Sequence, residues 1–568
     1  MNYSYLPRIR VLSALICLFA LLIISKLFSI QIIHGKEFTE RADRQYATPT
    51  NNMFERGSIF FKSKDNEFVS AASTISGFKV AINPKEISET SLIYEKINSI
   101  IPLDRDSFFA KANKKSDPYE EIANRLNKDL ADKISALKLP GVSVYREKWR
   151  FYPGNELAAH FLGFVGFQGN ELSGRTGIER YYNGVLSRNN QDLYVNFFAE
   201  VFSDISRTLF DKSNKEGDII TTIEPTVQND LEKELQDVMK GWRSDAVGGI
   251  IINPKDGSIY AMAHLPAYDL NNYSKVKDFS VFSNPIVESV FEFGSSIKAL
   301  TMAAGLDAGV VSAETTYNDK GFLILNNRQI NNFDKKARGI VSMQEVLNQS
   351  LNTGSVFVMQ SLGKERFKKY MLSYGVAEKT GIDLPTEISG LVGNLESGKE
   401  VEYATASFGQ GIAFTPIEAV RAFSVLANGG YLITPHLVSE IDYTDGLKSK
   451  TKISPGQRVL SEKTAEEITK MLVAVVDKAL LGGTVRQEHY SIAAKTGTAQ
   501  MSSPDGGYYE DRYLHSFFGY FPAYNPKFLI LLYNINPKGA QYASHTLTEP
   551  FINLVKFLID YYNVAPDR

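Results

Sequence analysis

The sequence predicts an α+β fold whose C-terminal part contains an antiparallel sheet, and three observations lead to this prediction. Residues 246–266 hold two apolar runs on either side of the turn sequence Pro-Lys-Asp-Gly, a pattern typical of a β-hairpin. Residues 490–501 and 527–535 are further apolar runs of strand length. A proline-preceded amphipathic segment from Thr226 onward and an apolar segment at 548–562 predict helices at the two ends of this region.

The overall composition excludes several classes of protein. A chain of 568 residues with 43% hydrophobic and 12% aromatic residues can bury more than one core. The 62 Lys and Arg residues balance 64 Asp and Glu residues, so we expect no nucleic-acid partner. The single cysteine, Cys17, excludes an intramolecular disulfide and a thiolate cluster, and the seven histidines form no HExxH pair. We therefore expect neither a metal nor another cofactor.

An apolar segment at residues 11–33 predicts a single membrane-spanning helix. As a helix it would rise about 34 Å, which is enough to cross a bilayer with some tilt. Lys26 interrupts the segment and would have to extend toward the outer interface. Arg8 and Arg10 precede it and favour a cytoplasmic N-terminal tail at residues 1–10. A cleaved signal peptide is the main alternative, although no A-x-A-like site follows the segment.

The remainder of the chain is therefore expected outside the cytoplasm, and its sequence changes in character near residue 224. Residues 34–224 mix short helix and strand signals. Within them, residues 113–144 predict a helix followed by a Pro-Gly break into a strand. Residues 225–568 then hold the α+β domain described above.

Ser295 is the strongest candidate nucleophile because Lys298 follows it at helical spacing. Serine needs a neighbouring base, and a lysine can act as one when burial or nearby cations lower its pKa. Ser296 has an alanine, Ala299, at the same spacing and therefore lacks such a base. A helix cap is the alternative explanation for the paired serines, and the S-x-x-K spacing recurs at other places, such as Ser361 and Lys364.

Two further motifs distinguish Ser295 from the other serines. The sequence Ser-Leu-Asn occupies residues 350–352, and Lys-Thr-Gly-Thr occupies residues 495–498. S-x-x-K, S-D-N and K-T-G together are the signature of class A β-lactamases and penicillin-binding proteins. A second Lys-Thr-Gly at residues 379–381 lies in a connector rich in Gly, Asp and Pro, where a turn is expected. Taken separately, Ser-Leu-Asn at 350–352 could be a helix cap, and Lys-Thr-Gly-Thr at 495–498 could be an edge strand with a turn.

The ordered motifs resemble those of class B penicillin-binding proteins, which are monofunctional peptidoglycan DD-transpeptidases, over nearly the whole chain. In addition, several segments are similar to family landmarks: FERGSIF at 54–60, AAHFLGFVG at 158–166, GIERYYN at 177–183, TGIDLP at 380–385 and AAKTGTAQ at 493–500. One departure is Phe293, which stands where family members usually have proline before the Gly-Ser of the nucleophile motif.

The resemblance implies a penicillin-binding, serine transpeptidase fold, in which an antiparallel sheet has helices on both sides. This domain, at 225–568, would follow the membrane helix and an elongated α+β pedestal of the dimerisation type at 34–224. The implied substrates are stem peptides ending in D-Ala-D-Ala, and β-lactams are the implied inhibitors.

The resemblance also implies a role for each motif residue. Ser295 attacks the carbonyl of the penultimate D-alanine, Lys298 is the general base, and Ser350 relays a proton to the leaving D-alanine. Asn352 orients Lys298 and binds the peptide amide. The substrate-binding set is Lys495, Thr496, Gly497 and Thr498, in which the lysine and threonine side chains hold the terminal carboxylate, and the N–H groups of Ser295 and Thr498 form the oxyanion hole.

Within this class, the short tail, the length of the chain and the TAQ after the KTG motif favour a septal, cell-division enzyme. Its partners would be a polytopic membrane glycosyltransferase and other division proteins. An elongation-specific transpeptidase is the nearest competing hypothesis. More distant hypotheses are a hydrolytic β-lactamase or DD-carboxypeptidase, a non-enzymatic β-lactam sensor or division scaffold, and a bifunctional synthase.

Overall fold

The structure is a computed structural model that describes residues 55–168, 171–188, 216–454, 456–504 and 506–568, together with the single positions 15, 19 and 26. The predicted tail at 1–10 lies outside the described residues. Of the predicted membrane helix at 11–33, only those three positions are described. Within the described part of the chain, no helix combines the length and the apolar character that crossing a bilayer requires.

The strands of the described residues, numbered in chain order, are β1 (Ile59–Lys62), β2 (Phe68–Ile82), β3 (Glu120–Leu126), β4 (Val142–Phe151), β5 (Val165–Gln168), β6 (Glu171–Gly174), β7 (Gly217–Thr221), β8 (Ala246–Ile252), β9 (Ile259–Leu265), β10 (Thr316–Asp319), β11 (Phe322–Leu325), β12 (Arg328–Asn331), β13 (Gly339–Ser342), β14 (Val438–Tyr443), β15 (Lys448–Lys450), β16 (Ala493–Ser502), β17 (Tyr508–Phe521) and β18 (Phe528–Ile535).

The α-helices of the same residues are α1 (Thr90–Asn98), α2 (Arg105–Ala112), α3 (Lys128–Ala136), α4 (Ala159–Leu162), α5 (Gly177–Tyr181), α6 (Asn183–Leu186), α7 (Pro225–Trp242), α8 (Pro285–Glu288), α9 (Lys298–Asp307), α10 (Met343–Asn348), α11 (Asn352–Leu362), α12 (Lys364–Ser373), α13 (Glu400–Ala406), α14 (Pro416–Ala427), α15 (Glu462–Ala474) and α16 (Ala543–Tyr561).

The chain divides into two compact units, and most described residues of the smaller one lie between Thr74 and Trp149. Its helices α1, α2 and α3 and the antiparallel pair β2–β3 share one apolar core, which includes Ile82, Ile97 and Phe108. Side-chain caps begin two of these helices, because Asp104 accepts from the N–H of residue 107 and residue 127 caps α3 in the same way.

One prediction in this unit is wrong. Residues 113–144 were expected to be helical up to the Pro-Gly break, but Glu120–Leu126 forms strand β3, and only Lys128–Ala136 is helical. Strand β3 pairs with β2, with Ala123 opposite Val80. This tertiary pairing outweighs the helix propensity of a segment rich in Glu, Ala and Arg. The break and the strand that follows it, from Val142, are confirmed.

The larger unit is built on a five-stranded antiparallel sheet in the order β16-β17-β18-β8-β9. Its described residues are 56–73, 150–168, 171–188, 216–454, 456–504 and 506–568. Neighbouring side chains of β17 face opposite sides of this sheet. Phe517 stacks on Phe551 of α16 with ring centroids 4.2 Å apart, and Phe518 stacks on Phe423 of α14 at 3.9 Å. The predicted antiparallel sheet with helices on both sides is confirmed.

Each face of this sheet has its own apolar core. Helices α7 and α16 contribute to the first core, and their residues Leu231 and Leu554 are fully buried there. The second core contains helix α9, of which the residues from Lys298 to Leu306 are all buried, together with parts of α14 and α15. The nucleophile motif therefore leads into a helix that is held by the interior of the unit.

A second sheet in the larger unit joins segments that are far apart in sequence. Strand β1 pairs with β7 in parallel, with Ile59 opposite Ile219, and β14 pairs with β7 in the antiparallel sense, with Ile441 opposite Ile219. Strand β15 continues the sheet beyond β14. Residues on both sides of the predicted boundary at 224/225 thus share one sheet, and the boundary itself stays a prediction.

A buried ion cluster connects two of the family-like segments, FERGSIF and GIERYYN. The carboxylate of Glu179 accepts a hydrogen bond from Arg56 Nε at 2.5 Å and from Arg150 Nε at 2.6 Å. Tyr152 donates its hydroxyl to the same carboxylate at 3.2 Å. The two cations hold the pKa of Glu179 below its ordinary value although burial acts in the opposite direction, so the cluster stays charged.

We expect Glu179→Ala to lower the free energy of unfolding by about 3–5 kcal/mol, because two buried guanidinium groups would lose their counter-charge. Urea unfolding of the purified full-length chain, followed by circular dichroism, measures the change. Glu440→Ala is the control, since it removes a salt bridge with the exposed Lys448 and should stay close to wild type. Equal unfolding midpoints for the two variants would contradict the prediction.

Candidate active site

Ser295 lies in a 3₁₀ turn, Gly294–Ile297, that leads directly into helix α9. Gly294 has a φ of +54°, and a Cβ on it would lie 2.6 Å from the carbonyl oxygen of Thr498. The positive φ favours glycine, and the close approach leaves no room for a side chain. Phe293 is buried in the core, whereas Ser295 is partly exposed in the wall of a cleft. The turn therefore places the serine at the cleft and at the start of a buried helix.

Two lysines, Lys298 and Lys495, meet at the hydroxyl of Ser350. Lys298 Nζ donates to Ser350 Oγ at 3.2 Å and to the carbonyl oxygen of the same residue at 2.6 Å. Lys495 Nζ donates to Ser350 Oγ at 3.1 Å and to the carbonyl oxygen of Thr496 at 3.0 Å. Three predicted residues from separate parts of the sequence thus form one hydrogen-bonded chain, and two of them, Ser350 and Lys495, line the same cleft as Ser295.

The two lysines differ in their electrostatic environment. Burial lowers the pKa of Lys298 well below its ordinary value, and the nearby charge of Lys495 lowers it further. Burial lowers the pKa of Lys495 to about 8. The lowered pKa suits Lys298 to accept a proton, whereas the charge of Lys495 suits it to hold an anion.

A buried polar cluster that the sequence analysis missed holds the start of helix α11. The Asp319 carboxylate accepts from Thr353 Oγ1 at 2.8 Å and from Asn332 Nδ2 at 3.0 Å. Asn332 Oδ1 accepts from the N–H of Thr353 at 3.2 Å. The only sequence signal for the cluster was a set of turn-forming residues, Asp and Asn, which gives no indication of burial. The cluster fixes the backbone immediately after the Ser-Leu-Asn motif.

The hydrogen bonds of the Ser-Leu-Asn motif differ in part from expectation. Asn352 Nδ2 donates to the carbonyl oxygen of Asn331 at 2.8 Å. Among the described residues no hydrogen bond joins Asn352 to Lys298, and the hydrogen bonds of Lys298 go to Ser350 instead. Ser350 has a φ of +54°, an uncommon conformation for a residue with a Cβ, and conformations of this kind persist where the surroundings determine them.

Strand β16 forms another wall of the site and approaches the nucleophile turn at backbone distance. A Cβ on Gly497 would lie 2.1 Å from the carbonyl oxygen of Phe293, so only glycine allows this approach. Gly497 therefore acts as a backbone spacer and does not line the cleft. Thr498 Oγ1 accepts from the N–H of Ala543 at 3.1 Å, which attaches the strand to the start of α16.

Most of the predicted site residues line one cleft with a cavity volume of about 800 Å³: Ser295, Ser350, Asn352, Lys495, Thr496 and Thr498. Lys298 is buried and reaches this group through its bonds to Ser350. The lysine of the second Lys-Thr-Gly, Lys379, is exposed and does not line the cleft.

Ser296 has a different role from the helix-start residue that the sequence suggested. It is fully buried, and its Oγ lies 2.9 Å from Ser516 Oγ on strand β17. Ser516 Oγ also donates to the carbonyl oxygen of Phe293 at 2.9 Å. Ser296 therefore links the nucleophile turn to the sheet, and no sequence pattern indicated this long-range contact.

The arrangement has the parts that acyl transfer through a serine requires. These are an accessible hydroxyl at Ser295, a buried lysine with a lowered pKa, a second hydroxyl between two lysine amines, and a strand that carries the second lysine. No metal is needed for this chemistry, because the lysines supply both the base and the positive charge.

Comparison with family profiles gives two matches. The penicillin-binding protein transpeptidase domain matches residues 247–556, and the penicillin-binding protein dimerisation domain matches residues 55–222. The first match alone covers more than half of the chain.

Curated relatives align along most of the chain. Stage V sporulation protein D of Bacillus subtilis is 30% identical over 96% of this chain and 84% of its own length. Peptidoglycan D,D-transpeptidase FtsI of Escherichia coli K12 is 27% identical over 82% of this chain and 76% of its own length. Peptidoglycan D,D-transpeptidase MrdA of Acinetobacter baumannii is also 27% identical, over 93% of this chain and 84% of its own length.

Among solved structures, penicillin-binding protein 3 of Mycobacterium tuberculosis in complex with aztreonam superposes with a TM-score of 0.68 at 22% identity. The superposition covers 91% of this chain and 98% of that one, and it shows that the two folds are alike. The profile matches and the curated relatives identify the family. The chain belongs to the penicillin-binding protein transpeptidase family and is a class B penicillin-binding protein of the peptidoglycan D,D-transpeptidase type.

Proposed function

We propose that this transpeptidase cross-links stem peptides during septal cell-wall synthesis through an acyl-enzyme on Ser295. The convergence of Lys298 and Lys495 on the hydroxyl of Ser350, in the cleft that Ser295 lines, is the observation that carries the chemical part of the proposal. The septal part rests on the TAQ that follows the KTG motif and on the alignment with a relative named FtsI.

In the acylation step, Ser295 Oγ attacks the carbonyl carbon of the penultimate D-alanine and gives its proton to neutral Lys298. The amide bond to the terminal D-alanine then breaks. Ser350, which accepts from both lysines, passes a proton to the leaving amine. The backbone N–H groups of Ser295 and Thr498 donate to the oxyanion and stabilise it.

The terminal carboxylate of the donor is held by Lys495 with the hydroxyls of Thr496 and Thr498, all of which line the cleft. Because Asn352 Nδ2 is used by Asn331, the carboxamide oxygen of Asn352 remains to accept from an amide N–H of the peptide. Lys298 is oriented by Ser350 in this scheme.

In the second step, the amine of a neighbouring stem peptide attacks the acyl-enzyme carbonyl and gives a proton to Lys298. Ser295 Oγ is displaced and takes up this proton from Lys298. The product is a new amide bond, the cross-link. A β-lactam presents the same carboxylate and acylates the same serine. Since its cleaved ring amide remains attached to the acyl group, no leaving group makes way for the acceptor amine.

We expect Ser295→Ala to abolish covalent labelling of the purified protein by a fluorescent penicillin, because the nucleophilic oxygen is removed. Gel fluorescence measures the labelling. Ser296→Ala is the matched control: it should retain labelling and lose about 1 kcal/mol of stability, since it removes one buried hydrogen bond. Labelling of folded Ser295→Ala, or its loss in folded Ser296→Ala, would disprove the assignment of the nucleophile.

The pH dependence of acylation tests the roles of the two lysines. The rate should fall as the pH drops through the lowered pKa of Lys298, since only the neutral amine accepts the proton. Lys495→Gln removes a neighbouring positive charge, which raises the pKa of Lys298, so the acidic limb of the pH–rate curve should move to higher pH. Lys495→Arg keeps the charge and should leave that limb in place. A limb that does not move in Lys495→Gln would contradict this electrostatic coupling.

Competing functions of different chemical classes make different predictions for the same protein. A hydrolytic β-lactamase or carboxypeptidase would release its acyl group quickly, so rapid turnover of a β-lactam would favour it. A non-enzymatic sensor or division scaffold would still function without Ser295, so growth and cross-linking supported by Ser295→Ala would favour it.

The proposal places residues 11–33 as a single anchor in the cytoplasmic membrane, with the N-terminus in the cytoplasm and the catalytic part outside. The apolar segment with Arg8 and Arg10 before it supports this topology. The proposed partners are a polytopic membrane glycosyltransferase and other division proteins. The relative named MrdA is as similar as the one named FtsI, so the elongation-specific role is the second candidate.

We expect a functional fluorescent fusion to concentrate at midcell in dividing cells, as a septal enzyme would. Quantitative microscopy of the fusion expressed from the native promoter measures the distribution. An even signal along the sidewall that persists through division would support the elongation role and reject the septal one.

A further inference from the structure

We propose that Lys335 binds a second carboxylate of the donor peptide, so that the enzyme prefers donors with an acidic group upstream of the reacting carbonyl. This inference rests on the proposed function of the same cleft. It concerns the chemical class of the donor and adds a specificity residue outside the three sequence motifs.

The charged side chains that line the cleft are all positive. Three cationic residues line it, Lys335, Arg338 and Lys495, and among the described residues no Asp or Glu lines it. A wall of this composition attracts anionic ligands and repels cationic ones. One carboxylate of the donor is accounted for by Lys495 in the proposed mechanism, which leaves the other two cations to be explained.

Arg338 is already neutralised by a partner of its own. Its Nη1 and Nη2 donate to the two carboxylate oxygens of Asp334 at 2.7 Å each, and its Nε donates to Gln349 Oε1 at 3.1 Å. Asp334 itself does not line the cleft. Bidentate pairs of this geometry are among the strongest side-chain interactions, so Arg338 holds the loop in place and offers little free charge to a ligand.

Lys335 is different, because its ammonium has neither a hydrogen bond nor an ion pair with any described residue. Its side chain is exposed and lines the cleft. In a cleft that selects anions, it is the cation left available to a ligand.

The backbone of Lys335 is held in a defined conformation. Its φ is +58°, in the left-handed region, and its N–H donates to the carbonyl oxygen of Asn332 at 3.0 Å. Asn332 is 1% exposed and hydrogen-bonded to Asp319, which belongs to the buried polar cluster described above. A left-handed lysine persists where its surroundings determine it, so the lysine is built into the wall.

The loop that carries Lys335 also contacts the Ser-Leu-Asn motif and the residue that precedes helix α16. Asn331 accepts from Asn352, and the ring of Phe333 meets the ring of Tyr542 with centroids 5.7 Å apart. Tyr542 immediately precedes Ala543, whose N–H donates to Thr498. A donor bound by Lys495 and Thr498 therefore runs beside this loop.

The chemistry of the donor determines where its second carboxylate must be. The two terminal D-alanines have methyl side chains and only one carboxylate, which Lys495 takes. A second acidic group must therefore come from a residue upstream of the penultimate D-alanine. In a penicillin, the corresponding position is the acyl side chain.

Two penicillins that differ by one carboxylate provide the test: benzylpenicillin, and carbenicillin, which has an added carboxylate on the same side chain. The second-order rate constant for acylation of the full-length protein is measured for each compound by competition with a fluorescent penicillin. The readout is the ratio of the carbenicillin constant to the benzylpenicillin constant. This ratio cancels effects on the shared carboxylate and on the fraction of folded protein.

We expect Lys335→Gln to lower this ratio about threefold and Lys335→Glu about tenfold relative to wild type, as the loss and the reversal of one exposed charge predict. Lys336→Gln and Lys336→Glu are the matched controls, because Lys336 is adjacent, exposed and outside the cleft lining. They should leave the ratio within about twofold of wild type. High salt should also reduce the effect of Lys335.

A ratio in the Lys335 variants that stays within about twofold of wild type would overturn the inference, as would equal shifts in the Lys336 variants. Failure of the proposed function has a separate signature. In that case benzylpenicillin would not acylate wild-type protein at Ser295 at all.

Discussion

The arrangement of the site depends on a backbone contact between the turn before Ser295 and the edge strand β16. Gly497 faces the carbonyl oxygen of Phe293, and Gly294 faces that of Thr498, with no room for a side chain at either position. Ser516 adds a hydrogen bond to the same turn. Backbone atoms therefore set the spacing between the turn that carries Ser295 and strand β16. The contact sets the position of Lys495, which lies on β16, relative to the turn that carries Ser295.

The electrostatic environment of the two buried lysines is a second determinant of the site. Lys298 and Lys495 are both buried and both directed at Ser350, and the charge of Lys495 adds to the effect of burial in lowering the pKa of Lys298. Lys298, whose pKa is lowered by burial and by Lys495, suits proton transfer, whereas Lys495, with a pKa of about 8, suits charge recognition. One arrangement thus produces two lysines with different chemical uses.

Local patterns in the sequence were sufficient for the central sheet and the motifs. The hairpin of β8 and β9, strands β16 and β18, and the helices beginning at Pro225 and ending at Tyr561 match the segments that apolar periodicity and turn residues predicted. Lys495 rather than Lys379 lies in the cleft with Ser295, as the strand context indicated. These features depend on short-range patterns, which a single sequence displays directly.

Features that depend on contacts between distant segments could not be obtained in this way. Strand β3 was expected to be helical because its propensity favours a helix, and only its partner β2 makes it a strand. Asp319 and Asn332 have the composition of a surface turn, yet each is 1% exposed and together they hold the start of α11. Ser296 is comparable, since its partner Ser516 is more than two hundred residues away. Burial of a polar group is a property of the whole fold, and the local sequence does not encode it.

The buried amine of Lys298 also connects catalysis to the folding equilibrium through protons. In the unfolded chain this lysine titrates near its ordinary pKa of about 10.5, while in the folded chain its pKa is far lower. Between the two values the unfolded state binds more protons, so this group makes the free energy of unfolding increase with pH across that window. Within that window, folding therefore releases a proton from this amine, and the group opposes the folded state. The cores on the two faces of the central sheet must offset that deficit, which makes the large apolar interior a condition for the reactivity of the cleft.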